Sequence, residues 1–385
     1  MEKIIYADRR NTNCNKWDGQ SEMFGEEGLH AMWVADMDFQ VPLCVKQALH
    51  AYVEQGVIGY YKVPEAYYQA FLNWEWEHHG YRAKKEWLRF SPGVVAAFNW
   101  IIQFMTEPGD GVIVTTPVYY PFLYAAKNNN RKLITVDLSH HNGEYTIPFE
   151  AFEQKIIETK PALFILCSPH NPVGRVWKKD ELEKLFDICK RHHVFVISDE
   201  IHQDLVFGEN KHIPSYLAGA DPTMSIAITA PSKTFNLAGA QNSIVMIPDE
   251  ALRQKWDAYV QGIRVTGGNA FGYVAAQAAY EGGGDWLEAV KEQIAENYQY
   301  VKETLGKLLP KAVVSPLEGT YLCWIDLAAY IAPEQMKETI QGKCRLAVDY
   351  GEWFGGSQFS TFIRMNLATS LENVKIGVAA LTEHL

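Results

Sequence analysis

A chain of 385 residues, 48% of them hydrophobic, can bury one large core or two moderate ones. Its formal net charge of −11, with no run of Lys or Arg, argues against a nucleic-acid partner, and no apolar stretch approaches the length of a bilayer span. The chain starts polar, with Asp8, Arg9 and Arg10 and no apolar segment behind them. Its six cysteines (Cys14, Cys44, Cys167, Cys189, Cys323, Cys344) are scattered without a CxxC pair. Neither a zinc site nor a disulfide framework is signalled, and a reducing cytoplasm is the expected setting.

Residues 1 to about 45 read as an extended arm, in which Trp33-Val-Ala-Asp-Met-Asp-Phe39 suits a buried loop with bonded carboxylates. A helix is expected after Pro42, carrying Val45, Leu49 and Val53. A turn at Gly56-Val-Ile-Gly-Tyr-Tyr61 follows, and Pro64 then opens a helix with Tyr67, Phe71 and Trp74 on one face. From Leu88 onward strand and helix signals alternate. Ser91-Pro-Gly-Val-Val leads into an apolar helix through Ile101 and Phe104. Strands are expected at Val112-Ile-Val-Thr, Arg131-Lys-Leu-Ile-Thr-Val, Ala162-Leu-Phe-Ile-Leu-Cys, Val194-Phe-Val-Ile-Ser and Met224-Ser-Ile-Ala-Ile, with a helix from Asp180, as N-cap, to His192. Short apolar strands separated by helices predict a mainly parallel sheet with helices on both faces. Gly282-Gly-Gly284 breaks the chain before an amphipathic helix with Leu287, Val290, Ile294, Tyr298, Val301, Leu305 and Leu308 in its stripe. Strands near 320–325 and 361–365 point to a smaller α/β domain.

Ligands of such sheets sit beyond the carboxyl ends of the strands. Tyr119, Asn171, Asp199 and Lys233 each come just after a predicted strand, so four polar or aromatic groups converge on one edge. Lys233 stands in Thr229-Ala-Pro-Ser-Lys-Thr-Phe-Asn-Leu-Ala-Gly-Ala-Gln241, among small and hydroxyl residues and with no acidic neighbour in sequence. One reading is a Schiff-base lysine, partly desolvated so that its neutral amine attacks an aldehyde and later moves protons. The other is a surface lysine on a loop.

Trp33-Val-Ala-Asp-Met-Asp-Phe39, Asp199-Glu-Ile-His202, Ser232-Lys-Thr-Phe-Asn-Leu-Ala-Gly239 and Glu318-Gly-Thr-Tyr-Leu322, in that order, resemble the fold-type I pyridoxal-5′-phosphate enzymes of the class I/II aminotransferase superfamily. The branch most similar is that of cystathionine β-lyase-like C–S lyases. The resemblance covers essentially the whole chain. It implies an arm (1–45), a large cofactor-binding domain (46–284) and a small C-terminal domain (285–385). The implied cofactor is pyridoxal 5′-phosphate, with no metal. Lys233 would carry it, Asp199 would keep its ring nitrogen protonated, Asn171 would donate to its phenolic oxygen, and Tyr119 would stack on its ring, with Tyr120 the adjacent alternative. The phosphate would meet backbone N–H groups of Gly93-Val94-Val95 and the hydroxyls of Thr229 and Ser232. Where aspartate-aminotransferase-like members carry an arginine, this chain has Gln241, which cannot balance a dianion. His202 stands where many aminotransferases have tyrosine, and either tunes the cofactor or is a core histidine.

Arg364 would grip the substrate carboxylate, beside Ala35 and Asp36. Tyr60, or its neighbour Tyr61, would reach the phosphate of a partner subunit, which implies a homodimer with shared sites acting on a small-molecule amino-acid substrate of the cystathionine or cysteine type. The implied reaction is cleavage of a Cβ–S bond to pyruvate, ammonia and a thiol. An aminotransferase is the alternative, and a cofactor-binding interaction protein with reduced catalysis a second one.

Overall fold

The computed structural model describes residues 3–385. A seven-stranded sheet is built from β1 (Leu88–Ser91), β2 (Gly111–Thr116), β3 (Lys132–Asp137), β4 (Leu163–Cys167), β5 (Phe195–Asp199), β6 (Ser225–Thr229) and β7 (Ser243–Met246), in the order β1-β7-β6-β5-β4-β2-β3. Strands β2 to β6 are mutually parallel, while β7 is antiparallel to both of its neighbours, so β1 points the same way as the parallel five. The carboxyl ends of β1, β2, β4, β5 and β6 therefore share one edge. Strands β2, β4, β5 and β6 are buried at every residue. Alternate side chains feed different cores: Val112, Val114, Ile165 and Ile197 one, Ile113, Phe164, Leu166 and Val196 the other. Strands buried on both faces read as unbroken apolar runs, and each large side chain so buried contributes ~1.5–3 kcal/mol.

The helices follow the expected alternation. Among them are α1 (Leu43–Val53), α2 (Glu65–His79), α3 (Val94–Met105), α4 (Tyr120–Asn128), α5 (Lys179–Arg191), α6 (Pro231–Thr234), α7 (Ala270–Gly282) and α8 (Gly284–Leu308). Helix α3 places Ala97, Phe98, Ile101 and Ile102 on one face of the sheet, and α5 places Leu182, Leu185, Phe186 and Ile188 on the other. In α2, Tyr67, Phe71 and Trp74 are buried, and left-handed Gly80 ends the helix. Two expected stripe positions are surface-exposed instead, Val53 at the end of α1 and Leu308 at the end of α8, because the last turn runs past the core it packs on. The cap of α5 also differs. Lys178 is the N-cap and Asp180 lies inside the first turn, since the Glu181 carboxylate accepts the Lys178 N–H at 2.8 Å and starts the helix two residues early.

A second, antiparallel sheet comprises β8 (Val313–Val314), β9 (Leu322–Asp326), β10 (Asp349–Tyr350) and β11 (Phe362–Asn366), in the order β8-β9-β11-β10. The arm is not wholly extended. It holds two short helices, Asn15–Asp18 and Gln20–Phe24, and a short strand, His30–Ala31, that pairs in parallel with Leu346–Ala347. Its carboxylates are bonded as the packing of residues 33–39 demands. Buried Asp38 takes Lys16 Nζ at 2.6 Å and Trp17 Nε1 at 3.2 Å, and Arg9 holds Asp36 through two nitrogens at 2.7 Å each.

Candidate active site

Where the parallel strands end, a concave space of about 740 Å³, part of it open to solvent, is lined by residues at or after the ends of β1, β2, β4, β5 and β6. Gly93, Val94 and Val95 come from the β1–α3 junction, Tyr119 from the N-cap of α4, Cys167 from the last position of β4 and Asn171 from beyond it, Asp199 and His202 from β5 onward, and Ser232 and Lys233 from α6. Gln241 lines it too, with Asn242 and, from the arm, Ala35. Nine of the residues singled out in the sequence thus meet at one cavity: Ala35, Val94, Val95, Tyr119, Asn171, Asp199, His202, Ser232 and Lys233.

Lys233 sits on a four-residue helix that Pro231 opens directly after β6, not on a loop. Its Nζ donates to the Ala35 carbonyl at 2.6 Å, and the Tyr321 hydroxyl donates to the same oxygen at 2.7 Å. Burial pulls the ammonium down to about 8; Arg364 adds to that, and the carboxylates of Asp36 and Asp199 resist it. Asp199 closes the other end. Burial pushes its carboxyl up to about 7, against the Ile201 N–H that it accepts at 3.1 Å and the charge of Lys233. His202 is held well below its ordinary value, first by burial and then by the nearby Lys233 and Arg364 charges, so it is a neutral imidazole with an unpartnered Nδ1. Burial pushes the Tyr119 phenol far up, so that ring is a neutral aromatic wall.

Arg364 lies in the middle of β11, nearly fully buried. Nη1 donates to Asn171 Oδ1 at 2.9 Å and Nη2 to the Trp33 carbonyl at 3.2 Å, and Asp349 is its ion-pair partner. A guanidinium only donates, so the Asn171 oxygen must face it, which leaves the amide NH₂ to another acceptor. Asn171 also accepts the Tyr119 N–H at 3.0 Å through its backbone carbonyl, tying the ring's loop to the arginine.

The remaining residues are placed differently. Thr229 ends β6 with its hydroxyl on the Glu200 carbonyl at 3.3 Å and is not among the lining residues. Asp36 is engaged by Arg9 and touches the site through its charge on Lys233. Tyr60 is fully exposed and lines no wall of its own chain's cavity, and Tyr61 stacks on Tyr273 at 6.1 Å. Two contributors had no role in the sequence reading: Tyr321 lay inside a quoted motif, and Asp349 falls in a two-residue strand too short for periodicity. Ala35, expected beside the substrate, acts through its backbone carbonyl, which leaves no side-chain signature.

The donor set fits pyridoxal phosphate. A desolvated amine suits its aldehyde, a raised carboxyl its ring nitrogen, an amide NH₂ its phenolic oxygen and an aromatic wall its ring. At the phosphate end, α3 begins with no side-chain cap, and Ser232 and Gln241 add a hydroxyl and an amide. His202 Nδ1 is a buried atom still short of a partner.

Fold and cavity together set a desolvated lysine at the carboxyl edge of a mainly parallel α/β sheet. The chain belongs to the aminotransferase class I and II family, whose pattern it matches over residues 37–381. It is 37% identical over 373 residues to cystathionine β-lyase PatB of Bacillus subtilis strain 168, covering 96% of each chain. The pyridoxal-phosphate-bound C–S lyase of Staphylococcus hominis has TM-score 0.93 at 34% identity, covering 100% of this chain and 97% of that one. Cystalysin from Treponema denticola, which contains pyridoxal 5′-phosphate, has TM-score 0.93 at 33% identity, covering 100% and 98%. The family resemblance and the α/β fold with a mainly parallel sheet read from the sequence are thereby borne out.

Proposed function

We propose that the chain is a pyridoxal-phosphate-dependent carbon–sulfur β-lyase that cleaves cystathionine or a similar cysteine-derived amino acid to pyruvate, ammonia and a thiol. The observation that carries the choice of reaction is the end-to-end likeness to a relative named cystathionine β-lyase. When bound, pyridoxal phosphate supplies a conjugated sink for the electron pair left on Cα when its proton is removed. The chain's own residues supply the rest. Arg364 holds the α-carboxylate in a charge-assisted contact, and Tyr119 and Asn171 bound the reacting face. Lys233 takes the Cα proton; with its ammonium brought to about 8, roughly one amine in ten is already free at pH 7. Asp199 holds a proton on the ring nitrogen. With the pair on Cα, a thiolate leaves from Cβ, and hydrolysis of the released enamine gives pyruvate and ammonia.

Purified enzyme given cystathionine should therefore release pyruvate, ammonia and homocysteine with no keto acid added. Keto-acid-dependent conversion of aspartate or tyrosine should be slow beside it. If pyruvate appears only with a keto acid, or sulfur amino acids are inert while transamination is fast, the aminotransferase alternative replaces the lyase.

A homodimer with shared sites is part of this reading. Val57, Ile58 and Tyr60 stand exposed on one loop, and a broad apolar groove lined by Leu49, Val53, Leu237 and Phe271 supports a second copy as their cover. Tyr60 is then available to a neighbour's phosphate. Mixing Tyr60→Phe chains with Lys233→Ala chains should restore about one wild-type site in four, because each mixed dimer holds one complete site. An enzyme that sediments as an active monomer defeats this. The cytoplasm is the proposed compartment, supported by six cysteines scattered along the sequence with no CxxC pair; among the described residues no helix is long and apolar enough to cross a membrane.

A further inference from the structure

We infer that Asp349 is the positioning residue for Arg364 and that it sets the enzyme's affinity for amino acids, an inference that rests on reading Arg364 as the carboxylate grip. Asp349 and Arg364 are direct partners across β10 and β11. Directly opposed residues of antiparallel strands project to the same face about 5 Å apart, so the strand register alone delivers the carboxylate to the guanidinium. Both side chains are essentially sealed from water, at 1% and 2% exposure.

A guanidinium carries five N–H donors in one plane. Three are engaged, by acceptors from three separate segments: the Trp33 carbonyl of the arm, Asn171 beyond β4, and Asp349 of β10. The Phe354 ring lies 4.9 Å from the guanidinium carbon. Two donors stay uncommitted, among them Nε, which is buried without a partner. Asp349 is the charged member of the three acceptors, so its contact alone adds the attraction of full opposite charges to a hydrogen bond that the cationic donor already strengthens in all three. It therefore dominates the orientation of the plane that an incoming carboxylate must meet. A donor array already fixed spares the ligand the cost of ordering it. Neither residue lines the cavity itself, but Arg364 reaches its wall through Asn171, whereas the contact of Asp349 runs to Arg364, so Asp349 acts through the guanidinium and not on the reacting atoms.

The effect belongs to capture of the amino acid and leaves proton transfer at Lys233 alone. Holoenzyme titrated with L-alanine, which lacks a β leaving group, reports this capture through the cofactor's absorbance. Asp349→Asn keeps the shape and one acceptor oxygen but removes the charge; its Kd for L-alanine should rise about tenfold, with kcat on saturating cystathionine within about threefold of wild type. Asp349→Ala should raise Kd further, so that asparagine counts as a partial rescue; if the alanine chain does not fold, the asparagine chain decides. An unchanged Kd in Asp349→Asn, or a fall in kcat with Kd unchanged, overturns the inference and leaves the lyase reading intact. A wild-type holoenzyme that binds no amino acid overturns both.

Discussion

Replacing Lys233 with alanine is expected to lower cystathionine turnover by on the order of 10⁴-fold or more while leaving the chain folded, because one amine serves both as nucleophile and as the base at Cα. Its Nζ holds a single hydrogen bond, to the Ala35 carbonyl, which Tyr321 also bonds. Removing the amine thus leaves that oxygen partnered and opens no void in the apolar clusters, to which Lys233 does not belong. Pyruvate release gives the rate, and circular dichroism tests the fold. Borohydride treatment of the wild-type holoenzyme should attach the cofactor to the peptide carrying Lys233, which mass spectrometry reads. A variant within tenfold of wild type would remove Lys233 from the chemistry and, with it, the reading of the cavity.

The edge that collects the site was legible because strands buried on both faces announce themselves. Val112-Ile-Val, Leu163-Phe-Ile-Leu and Phe195-Val-Ile each lead within a few residues to a polar or aromatic group, Tyr119, Asn171 and Asp199, and parallel topology sends those ends to one side. Tyr119, Asn171, Asp199 and Lys233 follow from that rule before any side-chain geometry is known. The hydroxyl of Thr229 did not follow, since strand pairing turns it onto the Glu200 carbonyl and away from the cavity. Nor did the contacts that depend on register or on backbone. Asp349 meets Arg364 because two strands far apart in sequence pair at that residue, and Ala35 offers a carbonyl that any residue type has. The start of α5 was misplaced for a related reason. Asp180 has the right chemistry for a cap, yet Glu181 reaches back to Lys178 and moves the first turn upstream.

Asp199→Asn carries the second large effect. Burial at the end of β5 pushes the native carboxyl up to about 7, so in the free cavity it is close to half protonated at neutral pH. A cofactor ring nitrogen held there would reverse that balance: its positive charge would stabilise the Asp199 carboxylate, which would in turn hold the proton on the nitrogen. Asparagine has the same outline and can still accept the Ile201 N–H that Asp199 takes at 3.1 Å, so the turn after β5 keeps its shape. It has no charge with which to hold the proton, and an unprotonated ring draws poorly on the electron pair at Cα. The expected result is retained cofactor with kcat lowered by on the order of 10³-fold, the scale for losing one preorganised electrostatic contact at the reacting centre. Proton abstraction then limits the rate, so Cα-deuterated cystathionine should show a larger kinetic isotope effect in the variant than in the wild type. An unchanged kcat, or a slow variant with no such isotope effect, would reduce Asp199 to an anchor for the Ile201 turn.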